Sequence, residues 1–160
     1  VEIPGEQWRQ VPLARGATPW RYTRSLGEVH TLFVALSWIP LDDQEDGPPP
    51  DEARVAEDIM AEAQRRAKVP GRKLLNWSRS EEPGLAQGAG CWRYASDFRV
   101  AAGTGDKIEY RSRGFICRMP AAGEGLAWLR YDELKSPEES WAPGYEAAAL
   151  ELRESLRPSE

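Results

Sequence analysis

Histidine occurs once in this chain, at position 30, and cysteine twice, at 91 and 117. That scarcity excludes the His/Cys-rich metal sites, which need three or four such ligands at short spacing, and neither CxxC nor HExxH occurs. The usual nucleophile–base pairs are missing as well. There is no GxSxG turn, and His30 sits inside "VHTLFV", where it reads as a hydrogen-bonded strand histidine rather than a catalytic base. No glycine-rich phosphate loop follows a strand. The expectation is a protein with no metal, no cofactor and no catalysis of its own.

Long apolar runs are absent too. The longest, "LFVALSWIPL" (32–41), is interrupted by Ser37 and Pro40 and reads as a buried strand, far short of the eighteen or so residues of a membrane span. Basic excess is lacking: 21 Lys and Arg face 26 Asp and Glu, a net charge of −5, so a phosphate backbone is not an expected partner. The opening "VEIPGEQWRQ" has neither the basic end nor the apolar stretch of a signal peptide. A start at Val1 fits either a trimmed chain or a mature protein that has lost its leader. In the second case a lipid anchor would belong to the missing segment.

What is present suffices for a core. Apolar residues make up 41% of the 160, with seven tryptophans, and a chain of this size forms one domain that buries about two-thirds of its unfolded surface. Residues 1–17, broken by Pro4, Gly5, Pro12 and Gly16, predict an extended N-terminal segment with a short edge strand near 8–13. A hairpin follows, with arms at 18–24 and 29–39 around "SLGE"; its second arm is apolar on both faces and belongs in a sheet interior. "PLDDQEDGPPP" ends that strand. Within it Asp42, Gln44, Asp46 and Gly47 match the first ligand positions of a calcium loop, but Ala53 stands where the bidentate Glu belongs, so the loop reads as solvated acid.

The spacing then predicts a helix over 51–68, with Val55, Ile59, Ala63 and Ala67 as its apolar stripe. Strands are expected at 73–78, in two arms within 90–118, and at 126–134, and a closing helix at 145–157 buries Tyr145, Ala149, Leu152 and Leu156. Ser136 with Pro137 and Glu139 fits a capping box. The order β-β-β-α-β-β-β-β-α gives an α+β fold: one antiparallel sheet of six to seven strands flanked by two helices.

The stretch "GCWRYASDFRVAAGTGDKIEYRSRGFICR" (90–118) allows a test of register. A two-residue turn sets Phe98 against Arg111 and Val100 against Glu109. A three-residue turn, Gly103-Thr104-Gly105, sets Val100 against Ile108, Phe98 against Tyr110, Ser96 against Ser112 and Trp92 against Ile116. The second gives one face of apolar and small pairs, which is what fixes register. It also brings Cys91 opposite Cys117 at a non-hydrogen-bonded pair, where Cα atoms approach to about 4.5 Å. A cross-strand disulfide is the expectation, contributing about 1–3 kcal/mol; the alternative is two reduced thiols packed as small hydrophobes. A disulfide implies an oxidising compartment and hence export.

Arginine alternates with aromatics around Arg21, Arg93, Arg111 and Arg113. These form one candidate partner surface, because Trp, Tyr and Arg dominate interface hot spots; in the competing reading the aromatics face the core and the arginines are the wet side. The acidic loop Asp42, Asp43, Glu45 and Asp46 is the other candidate surface.

The element order, the proline-rich loop before the first helix, "GFICRMP" (114–120) followed by "LAWLRYD", and the closing "YEAAALELRESLR" helix resemble the Mog1/PsbP/DcrB-like group. The resemblance spans about 18–157. It implies a small, mostly non-enzymatic exported protein or adaptor, and it carries no catalytic residues. The expectation is therefore a periplasmic or exported binding module that recognises a protein partner, with a membrane-anchored lipoprotein as one form of it. Two alternatives remain open: an immunity protein against a secreted toxin, and a small enzyme using carboxylates such as Asp97 or Asp132.

Overall fold

Seven antiparallel strands form one sheet in the order β1-β2-β3-β7-β6-β5-β4, with a helix on each face. The computed structural model describes residues 7–11, 19–41, 52–85, 90–101, 107–119 and 125–156, with backbone alone at 19, 20 and 52. The elements are β1 (Arg9–Gln10), β2 (Pro19–Ser25), β3 (Thr31–Pro40), α1 (Glu52–Ala67), β4 (Arg72–Glu82), β5 (Cys91–Ala101), β6 (Lys107–Arg118), β7 (Gly125–Lys135) and α2 (Tyr145–Glu154). The expected order and α+β class hold. The first edge strand is shorter than expected and β4 longer, and the acidic loop Asp42, Asp43, Glu45 and Asp46, the Gly-Thr-Gly turn and most of the N-terminal segment lie outside the described residues.

The β5–β6 register is the one that the apolar ladder selects: Trp92 pairs Ile116, Phe98 pairs Tyr110 and Val100 pairs Ile108. Cys91 pairs Cys117, and the two form a disulfide with Cα atoms 4.1 Å apart. Arg118 donates its backbone N–H to Gly90 at 2.9 Å, so the neighbouring rung is hydrogen-bonded and the cysteine rung is not. No helix among the described residues is long and apolar enough to cross a membrane.

Strand alternation splits the side chains between two cores. Cys91, Phe115, Cys117, Leu129 and Tyr131 pack under α2, whose Tyr145, Ala149 and Leu152 are buried as the helical period requires, with Leu156 buried just beyond its end. Tyr94, Ile116 and Leu126 pack on the other face with Ala56 and Met60 of α1. The expected α1 stripe holds and is wider than expected: Ala67 is buried and Val55, Ile59 and Ala63 pack, partly buried, against the core, while Ala56 and Met60 beside them are buried as well. A helix resting on the β4–β5 side of the sheet turns Ala and Met, the smaller and more pliable side chains, toward the large Trp77, Trp92 and Tyr94 rings.

Gly114 explains how those rings fit. A Cβ there would lie 2.0 Å from the Tyr94 ring, which crosses β6 at this point and accepts the Trp128 indole N–H on its hydroxyl at 3.1 Å. Burial pushes the Tyr94 phenol far above its ordinary range, so the hydroxyl stays protonated. Gly114→Ala is expected to lower unfolding stability by about 1–3 kcal/mol through overpacking, measured as a lower urea midpoint at unchanged slope.

Candidate functional site

The α2 face carries charge inside it. Across β5, β6 and β7, one rung reads Asp97–Arg111–Glu133 and the next Arg99–Glu109–Lys135, alternating in sign on both. Glu133 is fully buried. Its Oε2 accepts from Arg111 Nε at 2.9 Å and Nη2 at 2.6 Å, and its Oε1 accepts from the Ala142 backbone N–H at 2.7 Å. His30 Nε2 lies 2.6 Å from the same Oε1. His30 is thus the structural histidine expected, and it ties the β2–β3 turn to β7.

Arg111 also lies over the Tyr145 ring, 3.6 Å from its centroid, and faces Trp141 at 4.5 Å. Arg113 bridges Asp97 at 3.0 Å and Glu146 at 2.6 Å, and Arg93 reaches Glu146 at 3.1 Å and Glu82 at 3.8 Å. Burial opposes charge on Glu146, yet the Arg113 hydrogen bond and charge hold its carboxyl below the ordinary range. Lys135, with Arg99, does the same for Glu109. Ser136 donates its N–H to Glu139 at 2.9 Å, one half of the predicted capping box.

These contacts correct the arginine reading. Arg111 and Arg113 are neither a partner surface nor the wet side of strands: they are enclosed beneath α2 and its approach, with 12% and 9% of their side chains exposed. Arg93 is partly exposed but engaged on both sides. On β5, Trp92 and Tyr94 face α1 while Arg93 faces α2 with Arg111 and Arg113 of β6, and a helix covers each face; on β2 the sides are exchanged, with Tyr22 packed in the α2-side core. Asp97 and Asp132 fall on opposite faces, since Asp97 pairs Arg111 whereas Asp132 pairs Ser112, so the two carboxylates do not converge.

Arg21 lies elsewhere, on the α1 face, at a groove of about 530 Å³. This volume is in the range of ligand sites. Its floor draws on three successive rungs across β3, β7, β6 and β5, Ala35–Arg130–Gly114–Tyr94, Phe33–Asp132–Ser112–Ser96 and Thr31–Leu134–Tyr110–Phe98, all of whose residues but Ala35, Gly114 and Thr31 line it. Arg21 pairs Ala35 and extends the first rung. Ala63, Arg66 and Ala67 of α1, with Arg72 beyond it, supply one wall. The middle rung is polar and closed on itself: Ser112 Oγ donates to Asp132 Oδ1 at 2.5 Å, and the Tyr110 hydroxyl bonds to the same carboxylate. Burial, with the Asp132 charge, raises the Tyr110 phenol well above its ordinary value. Arg130 stands 3.9 Å from Asp132 and over the Trp128 ring. Sequence reasoning named Arg21 and Asp132 separately and missed Arg130; only the register brings the three to one groove. No group of three or more potential metal ligands occurs among the described residues.

No family model and no curated protein matches the chain. Among solved structures, the lipid transfer and protein localization domain of human StarD13 (DLC2) is similar at a TM-score of 0.33 and 11% identity, covering 96% of this chain and 87% of that one. A likeness at that level carries no argument about either fold or ligand.

The arrangement beneath α2 predicts a double-mutant signature. Glu133→Gln leaves Arg111 buried without its counter-charge and is expected to cost about 3–5 kcal/mol of unfolding free energy. Glu133→Gln combined with Arg111→Met recovers most of that loss, because no unpaired charge stays buried while the amide oxygen still accepts the Ala142 N–H. Urea unfolding of the three proteins checks this.

Proposed function

We propose that the protein is an exported, non-catalytic binding module that recognises a protein partner in the bacterial cell envelope, most simply in the periplasm. The observation that carries this reading is the α1-face groove. α1 rests on the β4–β5 side, and among the described residues no other element covers the sheet in front of it, where Arg21 and Arg130 lie beside Phe33, Tyr110 and Phe98. A sheet face of arginine and aromatic side chains is the composition of interface hot spots. The Cys91–Cys117 disulfide supports the exported location, because such bonds persist in oxidising compartments. The Mog1/PsbP/DcrB resemblance agrees with an adaptor role.

Photo-crosslinking in envelope extract tests the reading. A benzophenone side chain at Phe33 or Val100, both in the groove, is expected to yield discrete protein adducts, and Arg21→Glu to diminish them. The same group at Leu150, exposed on α2, is expected to yield none. Adducts from Leu150 alone, or from no position, would overturn it.

A further inference from the structure

The groove has a chemical polarity along the strands. At one end, Arg21 on β2 and Arg130 on β7 belong to one rung and flank the small side chain of Ala35 on β3. Two strand spacings separate the arginine backbones, about 9–10 Å, which two long side chains span from either side. Leu134 and Phe98 lie at the other end, on the third rung, with Phe33 on the rung between.

The charge is unbalanced. The lining holds Arg21, Arg66, Arg72 and Arg130 against one carboxylate, Asp132. Two of the four are engaged: Arg66 pairs with Glu62 at 2.8 Å, and Arg72 donates to the Arg66 carbonyl at 2.9 Å while lying over Phe98. Asp132 offsets Arg130 only in part, since its Oδ1 is taken by Ser112 and the ion pair with Oδ2 is long, at 3.9 Å. Arg21 has no ion pair among the described residues. Two guanidinium groups therefore face the groove with charge to spare, in a chain whose net charge is −5.

Resting on the binding-module reading, we infer that the groove takes an acidic segment of the partner protein. One carboxylate sits over Ala35 between Arg21 and Arg130, and a neighbouring apolar side chain lies on Phe33 and Leu134. Arginine favours a carboxylate because its fork donates two parallel hydrogen bonds. A polyanion is disfavoured, because two of the four groove arginines are already engaged and the chain as a whole carries a net charge of −5. A chain segment suits the site better than a small ligand. The described residues wall the groove on the α1 side alone, whereas small-ligand sites enclose most of their ligand's surface.

The probe is an acetylated pentapeptide amide alternating glutamate with leucine and phenylalanine, titrated into the oxidised full chain and followed through the arginine Nε–H resonances. Those of Arg21 and Arg130 are expected to shift, and those of Arg111 and Arg113 to stay. Arg21→Met, an exposed position that leaves the core untouched, is expected to weaken binding at least tenfold, as is the same peptide with glutamine for glutamate. Equal binding of the glutamine peptide, shifts confined to other arginines, or no shift at all would overturn the inference. So would dodecanoate moving Arg21 and Arg130 while the peptide does not, which would assign the groove to a small amphiphile. An envelope adduct that forms equally well with Arg21→Met would overturn this site while leaving the binding-module reading intact.

Discussion

One buried carboxylate determines which face of the sheet is inside and which is available. Glu133 joins β7 to β6 through Arg111, to the β2–β3 turn through His30, and to the 136–144 connection through the Ala142 N–H. That connection sets where α2 begins, and α2 then closes over the charged rungs. An ion pair of this kind gives little net stability against an apolar substitute, because desolvation consumes most of the Coulomb gain. Its effect is on specificity. With Arg111 and Glu133 committed to each other, a one-residue slip of β6 or β7 would strand both charges on the wrong face.

The consequence for function is a division of labour between faces. Beneath α2 the arginines are spent on neighbours: Arg111 on Glu133 and Tyr145, Arg113 on Asp97 and Glu146. On the α1 face the helix covers the β4–β5 side, and among the described residues nothing else covers the strands in front of it, which present Arg21 and Arg130 to the groove. The disulfide crosses the β5–β6 hairpin on the α2 face, in the same core as Phe115 and Leu129, and so reinforces the closed side.

Much of the fold was legible because short-range rules determined it. The hairpin register followed from matching Val100, Phe98 and Trp92 with apolar partners, and Cys91 and Cys117 came along without being used. The closing helix followed from a clean four-residue period. The α1 stripe was too narrow because Val55, Ala56, Ile59 and Met60 form two adjacent apolar rows, and the large rings opposite draw in Ala56 and Met60 beside the expected residues. The arginines were misread for a different reason. Alternation places Arg111 and Arg113 on one face, but says nothing about whether a helix covers it. The signal that was there lay on β7, where Tyr131, Glu133 and Lys135 continue the apolar face of Ala127 and Leu129 with charge. Charged residues continuing a core face call for partners on the next strand, and β6 supplies them. The groove was less legible still, because Arg21 and Arg130 are far apart in sequence and meet only through the pairing of β3 with β7.

The central claim is that the sheet keeps its α2-face arginines internal and leaves Arg21 on the α1 face accessible. Its most direct test is arginine modification with phenylglyoxal on the folded, oxidised protein, resolved by peptide mass spectrometry over time. The account predicts rapid modification of Arg21 and protection of Arg111 and Arg113 until the protein unfolds. Modification of Arg111 or Arg113 at the rate of Arg21 in the native protein would contradict it.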